Sequence, residues 1–229
     1  MKRISLILGD AALELVPPEI RNHPAVLNNA RRRGKSPAEI LLDKSIHYHA
    51  MKKLKNHEKR GRPDIVHTCL LNAHSSRLNE AGLLEVLIHT VNGEVTEINP
   101  ATRIPRNYLR FTGVMEQLLV YGRVPPKGDI VLMRKLDTGL SDALRERGVS
   151  YVALLSEKGS PTTPRKLSEL LMQFERPALI VGAFPHGDFS EDLYRVANES
   201  FSLGGKAYDA WYIVARTIAS LEDALGLWE

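Results

Sequence analysis

The stretch A-L-I-V-G-A-F-P-H-G-D-F-S-E-D-L-Y-R-V-A-N-E-S-F-S-L-G-G-K-A-Y, Ala178 to Tyr208, decides how this chain folds. Its wholly apolar opening, Ala178 to Val181, has the length and composition of a buried strand and ends in a turn carrying Gly182, Pro185 and Gly187. Ser190 then stands before two acids and an apolar pattern, the way a short helix begins. A second short strand, about Phe201 to Leu203, stops at Gly204-Gly205, and a long helix opens within two or three residues. Two glycine turns after two neighbouring strands set exposed backbone N–H and C=O groups side by side at one sheet edge. Open α/β sheets bind nucleotide-like ligands there. Glycines alone favour the plainer reading, two ordinary strand-to-helix turns.

Outward from this stretch the pattern alternates. Ile130 to Met133 reads as a strand, Ser141 to Arg147 as a helix, and Tyr151 to Leu155 as a strand; Thr163-Pro164 then opens a helix to about Phe174. Such alternation argues for a parallel sheet covered on both faces. Near the N-terminus, Ile4 to Leu8 is a buried strand, followed by Gly9-Asp10 and a short amphipathic piece ending at Pro17-Pro18. The polar run Asn22 to Lys35 reads as a mobile loop. Ser36-Pro37-Ala38-Glu39 supplies a capping oxygen, a first-turn proline and a reciprocating Glu, which predicts a helix to about Leu54. Pro63 opens a further helix over Ile65 to Ala73. Leu84 to Val91 and Glu94 to Ile98 form a hairpin about Asn92-Gly93. The segment Thr102 to Phe111 feeds a helix reaching about Tyr121, and Arg106 and Arg110 share a face if that helix has begun by then. The final helix, about Ala207 to Leu227, is apolar at Trp211, Val214, Ile218, Leu221 and Leu225, with Ala210 and Ile213 widening the stripe. That breadth favours packing against a second copy of the chain over a thick single-chain core.

The 229 residues suffice for one large domain, or one domain with an insertion. Hydrophobic content of 43% and charged content of 25% are ordinary for a soluble protein. No run approaches the length needed to cross a bilayer, and the chain enters a strand pattern directly, so no signal peptide is visible. Cys69, the single cysteine, rules out an internal disulfide and suits a reducing cytoplasm, the expected location. The net charge of +4 says little by itself. Its distribution says more: Lys52, Lys53, Lys55, Lys59, Arg60 and Arg62 crowd one segment, Arg103, Arg106 and Arg110 another, and Arg31 to Arg33 a third. Brought together, such clusters make a phosphate-binding surface. His47, His49 and His57 have no acid or cysteine at ligand spacing, so no metal site is expected.

Five unlinked motifs follow one another along the chain: R-G-R-P-D-I (Arg60 to Ile65), N-P-A-T-R-I-P-R-N-Y-L-R-F (Asn99 to Phe111), L-S-E-K-G (Leu155 to Gly159), G-A-F-P-H-G-D-F (Gly182 to Phe189) and L-G-G-K-A-Y (Leu203 to Tyr208). In this order, and over essentially the whole length, the chain resembles the Nep-type SPOUT methyltransferases in their archaeal-like form. The resemblance implies an α/β knot, a parallel sheet with a C-terminal trefoil knot, forming one domain over residues 1–229 with a family-specific insertion at about 20–125. It implies S-adenosyl-L-methionine as cofactor, an obligate homodimer whose site borders the subunit interface, and methylation of N1 of a pseudouridine in small-subunit ribosomal RNA during ribosome biogenesis. Matched by motif, the cofactor site falls on Gly182, Gly187, Leu203, Gly204, Gly205, Lys206, Ala207 and Tyr208, so that Gly205→Val is expected to block it. RNA contacts fall on Arg62, Arg103, Arg106 and Arg110, with Asp64 holding Arg62.

The chemistry agrees with what the chain contains and lacks. A sulfonium donor needs no metal, and a cofactor without phosphates needs no Walker lysine. Main-chain groups and apolar walls can bind adenine and ribose. N1 of pseudouridine sheds a weakly acidic, imide-like proton, so alignment supplies much of the rate, with modest help from a base. Arg62 and Asp64 are the leading candidates for a role at the reacting base; a guanidinium donates two parallel bonds to a carbonyl or phosphate. Asp188 and His186 are weaker candidates for the base, since such residues more often cap a turn and pack. A second reading stays open: a non-enzymatic assembly factor that binds the same RNA loop through its arginines. A dinucleotide-dependent oxidoreductase is disfavoured, because the glycine turns come late and lack a downstream ribose-binding acid.

Overall fold

The computed structural model describes residues 1–229. In chain order the elements are β1 (Ile4–Ala11), α1 (Pro24–Arg33), α2 (Lys44–Met51), α3 (Pro63–His74), α4 (Arg77–Glu80), β2 (Leu84–Thr90), β3 (Val95–Ile98), α5 (Tyr108–Tyr121) and β4 (Arg123–Val124). They continue with β5 (Met133–Lys135), α6 (Leu140–Glu146), β6 (Tyr151–Thr162), α7 (Pro164–Leu171), β7 (Pro177–Gly182), α8 (Glu191–Val196), β8 (Glu199–Leu203) and α9 (Ala210–Ala224). Eight strands form one sheet in the order β4-β5-β3-β2-β1-β7-β6-β8. The five strands from β2 to β8 are parallel, whereas β3, β5 and β4 are added antiparallel beyond β2. All eight residues of β1 are buried, as a central strand covered on both faces must be. Its side chains alternate: Ile4, Leu6 and Leu8 join the core beneath α3, α5, α7 and α9, and Ile7 joins the core beneath α6 and α8. No helix is long and apolar enough to cross a membrane.

The C-terminal half wraps around β6. From β7 the chain crosses one face through α8, pairs as β8 on the far side of β6, and returns to the opposite face as α9 against α3 and α7. Leu155 and Ser160 both pair with Phe201, so residues 156–159 loop out of the ladder over β8. A Cβ on Gly159 would stand 2.5 Å from the Phe201 backbone, so the two segments cross in backbone contact. This is the tied arrangement that the resemblance implies.

Several expectations are corrected. Residues 22–35 are not a mobile loop: α1 begins at Pro24, with the His23 ring accepting from the Ala25 N–H, and ends at Gly34 in the left-handed region. The capping box at Ser36 and Glu39 is present but starts only a single 3-10 turn, Pro37–Glu39. Ile40, Leu41 and Leu42 are then drawn into the core in extended form, and Asp43 caps a second start, α2. The final strand before the alternation is Met133–Lys135, pairing antiparallel with β3, whereas Ile130 is 73% exposed. The helix α5 starts at Tyr108, capped by Asn107, so Arg106 lies outside it and shares no helical face with Arg110. Much of the apolar stripe of α9 is used within the chain: Val214, Ile218 and Leu221 are buried in the main core.

Candidate functional site

The parallel strands β6, β7 and β8 all point their carboxyl ends at one edge, and their loops enclose a cavity of about 380 Å³, within the range of small-molecule sites. Leu155 to Glu157 enter from β6, Val181 to Phe189 from β7, and Phe201 to Leu203 with Lys206 to Tyr208 from β8; Ile213 of α9 closes the back. The walls are strongly aromatic. Phe184 and Phe189 stand edge to face, centroids 5.3 Å apart, and Phe189 repeats this geometry with Tyr194. Gly182 lets the rings approach: a Cβ there would lie 2.9 Å from Phe184 and 3.0 Å from Phe189. Ser202 is buried, and its hydroxyl has no hydrogen-bond partner within the protein. A buried polar group left in this way costs stability unless something else pairs with it.

Of the residues matched by motif, Gly182, Gly187, Leu203, Lys206, Ala207 and Tyr208 line the cavity. Gly204 and Gly205 do not. Both turn the chain with positive φ, and a Cβ on Gly205 would meet nothing within 4 Å, so Gly205→Val would strain the turn rather than fill the site. Leu155, Ser156, Glu157, Phe184, Phe189, Phe201, Ser202 and Ile213 complete the walls and were not among the expected site residues. The L-S-E-K-G motif was the signal that could have found the first three.

Asp188 is committed to structure. It accepts from Lys158 Nζ at 2.6 Å, the Tyr194 hydroxyl at 2.7 Å and the Phe189 N–H at 2.8 Å. Burial raises its carboxyl, but these bonds together outweigh that and hold it below the ordinary carboxylate range, which makes it a weak base. His186 lines the same mouth and is exposed.

The arginine segment Arg60 to Asp64 sits directly behind this edge. The Arg62 N–H donates to the Ala12 carbonyl at 3.1 Å, and the Ala12 N–H donates to the carbonyl of Ala183 at 2.9 Å, one residue past Gly182. Gly61 makes the close packing possible, with φ +68 and a Cβ position only 2.8 Å from the Met51 methyl. The Arg62 side chain forks onto Asp64, and next to it Tyr108 donates to Asp43 at 2.5 Å. Burial first, then this bond, raises the Tyr108 phenol far above its ordinary range. Arg60 forks onto buried Glu14, and Lys59 onto buried Asp10, so half of the basic cluster at 52–62 is already paired. The guanidiniums of Arg103, Arg106 and Arg110, by contrast, are exposed and make no ion pair or side-chain hydrogen bond. Arg106 lines a groove between α3 and α9 with Ala215, Ala219 and Trp228.

The histidines serve the core or the surface. His47 accepts from the Asp43 N–H at 3.1 Å and contacts the Asn29 amide at 3.0 Å; burial holds its ring below the usual pKa. No group of His, Cys, Asp and Glu could hold a metal ion. A cavity of about 360 Å³ over the antiparallel strands is lined by Arg134 and Arg147, both paired with Glu97, and by Arg3 paired with Glu85.

The chain matches relatives along nearly its full length. It is 48% identical over 219 residues to the ribosomal RNA small subunit methyltransferase Nep1 of Staphylothermus marinus, covering 96% of this chain and 95% of that protein. The Nep1 of Thermococcus sibiricus is 45% identical over 225 residues, 98% of this chain and all of that one. The crystal structure of Archaeoglobus fulgidus Nep1 bound to S-adenosylhomocysteine superposes with a TM-score of 0.88 at 44% identity, covering 99% of this chain and 100% of that chain. With the EMG1/NEP1 methyltransferase model matching residues 6–222, this chain belongs to that family.

Proposed function

We propose that the protein methylates small-subunit ribosomal RNA with S-adenosyl-L-methionine held in the cavity at the carboxyl ends of β6, β7 and β8, and that N1 of a pseudouridine is the acceptor. One observation carries this reading: the cavity couples aromatic walls to a buried, unpartnered Ser202 hydroxyl, as a ligand with a flat ring and polar groups requires. The fit extends to charge. Glu157 is exposed at the mouth without an ion-pair partner and offers a negative group to a cationic ligand.

Bound there, the donor supplies an electrophilic methyl carbon on a sulfonium. The protein's task is then positional. The walls exclude water, and the loops from β7 and β8 fix the direction from which a nucleophile approaches. Arg62, preset by Asp64, holds a carbonyl or phosphate of the extruded nucleotide. Transfer to N1 would free the donor's sulfur as a neutral thioether and release the N1 proton; both Asp64 oxygens are held by Arg62 and Asp188 is held by three donors, so neither is free to take it.

Arg103, Arg106 and Arg110 then contact the backbone of a single-stranded loop, the usual mode of selective RNA recognition. Since Arg106 lies against α9, away from its own chain's cavity, the reading expects a homodimer in which the exposed face of α9 meets a second copy. It also treats residues 1–229 as one cytoplasmic methyltransferase domain with an insertion at about 20–125; Leu41, Ile65 and Phe111 share one core with Leu167 and Val214, in keeping with this. Incubation of protein, S-adenosylmethionine and a pseudouridine-containing hairpin tests the proposal. A methylated nucleoside by mass spectrometry is the expected product. No product with RNA binding intact would leave an assembly factor.

A further inference from the structure

Lys59 does not line the cavity, yet it touches the loop that does at Phe184 and Asp188 and, through Asp10, holds its end at Ser190. It ends a 3-10 turn, His57–Lys59, entered through Asn56 in the left-handed region. Its Nζ donates to Asp10 Oδ2 at 2.8 Å and to the Asp188 carbonyl at 2.6 Å, and it stands 4.3 Å from the ring centroid of Phe184. Asp10 in turn accepts from the Ser190 N–H at 2.6 Å and the Ser190 hydroxyl at 3.0 Å. So Ser190 does not cap α8 with its side chain but anchors the loop to β1. Phe184, Asp188 and Ser190 of loop 184–190 are thus held by one ion pair, between half-buried Lys59 and buried Asp10.

Two features set this pair apart from a structural bridge. Asp10 has φ +46, a conformation that costs a non-glycine residue energy and persists where surrounding contacts enforce it. It sits in the β1–β2 register shift between Leu8 and Ala11, at the same edge as the cavity. Buried ion pairs are also poor devices for stability as such, since apolar replacements are often neutral. The tied loop has no ladder of its own, and His186, Gly187 and Asp188 are exposed. Left free, it would have to be ordered at each binding event.

Resting on the cavity assignment above, we propose that Lys59 is a positioning residue for the methyl donor: from outside the cavity it holds the Phe184 ring and loop 184–190 against the end of β1, and so sets the affinity for donor and product. The segment that carries it has a second anchor, Arg60 on Glu14 at 2.6 and 2.7 Å, so the arginines nearby stay in place when Lys59 is removed.

The test uses Lys59→Met, Lys59→Met/Asp10→Asn and Lys59→Arg, with S-adenosylhomocysteine affinity by calorimetry, thermal melting, hydrogen exchange of loop 184–190 and hairpin affinity. Lys59→Met should bind about tenfold more weakly, exchange faster in the loop, and melt lower because buried Asp10 loses its lysine cation. The double variant should recover the melting temperature but not the affinity, and Lys59→Arg should keep most of both. Hairpin affinity should not change. Wild-type affinity in the double variant would overturn the proposal, as would equal recovery of both properties. Ile213→Trp separates the two readings: it fills the cavity and should abolish binding. Wild-type affinity there would sink the cavity assignment itself, whatever Lys59 does.

Discussion

Arg62 is gripped by Asp64 two residues along the chain: Nε and Nη2 each donate to one carboxylate oxygen at 2.8 Å. Both side chains are partly exposed, at 32% and 44%, so the pair adds little to stability. It sets the plane of the guanidinium one short backbone relay from Ala183. Hydrogen bonding to Asp64 raises the Arg62 pKa further, and the charge is permanent. Arg62→Lys keeps the charge and loses the fork. It should lower kcat/KM for RNA by about 10–100-fold, the value of a charge-assisted bond, with calorimetric affinity for S-adenosylhomocysteine unchanged.

Ser202→Ala removes a buried hydroxyl that has no partner in the protein. Its melting temperature should be unchanged or slightly higher, because no internal bond is lost. Affinity for S-adenosylhomocysteine should fall about threefold to tenfold, one neutral hydrogen bond. Loss of stability with unchanged affinity would show that the hydroxyl serves the fold.

Arg103, Arg106 and Arg110 have no internal partner, so each is free for a phosphate. Alanine at any one of them should flatten the dependence of log K on log salt by about one counterion. Neither cofactor affinity nor melting temperature should move. Titration of a labelled hairpin at several salt concentrations reads the slope directly.

The Asp10 carboxyl is subject to burial, which raises its pKa, but the His89 ring beside it and hydrogen bonds from Lys59 and the Ser190 N–H outweigh that and hold it at about 2. A carboxyl depressed on folding contributes stability above its unfolded pKa of about 3.9 and loses it as pH falls toward the folded value. Wild-type protein should therefore lose about 2 kcal/mol more than Asp10→Asn between about pH 4 and pH 2. Urea unfolding at a series of pH values measures the difference. Other acids titrating in that window cancel, because both proteins share them.

Wherever short-range chemistry decides the backbone, the residues could be read directly. The apolar run at Ala178 and the strand stop at Gly204 stand as expected; the hairpin forms about Asn92-Gly93, though with a three-residue turn between Thr90 and Glu94, and the Ser36–Glu39 capping box forms but starts only one 3-10 turn. The misreadings have physical causes. α1 buries only Val26 and Ala30, so its periodicity is faint, and a His ring caps it where Ser or Asp is usual. The Ser36 helix stops after one turn because Ile40 and Leu42 bury apolar surface in extended form against Val16, Val26 and Met51, while Leu41 points into the main core. Arg106 and Arg110 part company because Asn107, between them, takes the cap.

The chain's own order of residues determined its strands and turns, its parallel C-terminal half, the clustering of its basic residues and, by motif, the family. Tertiary closure alone decided which cations are free. Lys59 and Arg60 look equivalent to Lys52 or Arg110 along the chain, yet they meet Asp10 and Glu14, more than forty residues away, while Arg110 meets only solvent. It also decided that a strained aspartate at the end of β1 anchors a loop 180 residues away. The physical reason is one of range. Dihedral preference and hydrophobic period act over a few residues, whereas a charge's partner is chosen only when the sheet brings distant strand ends to a common edge.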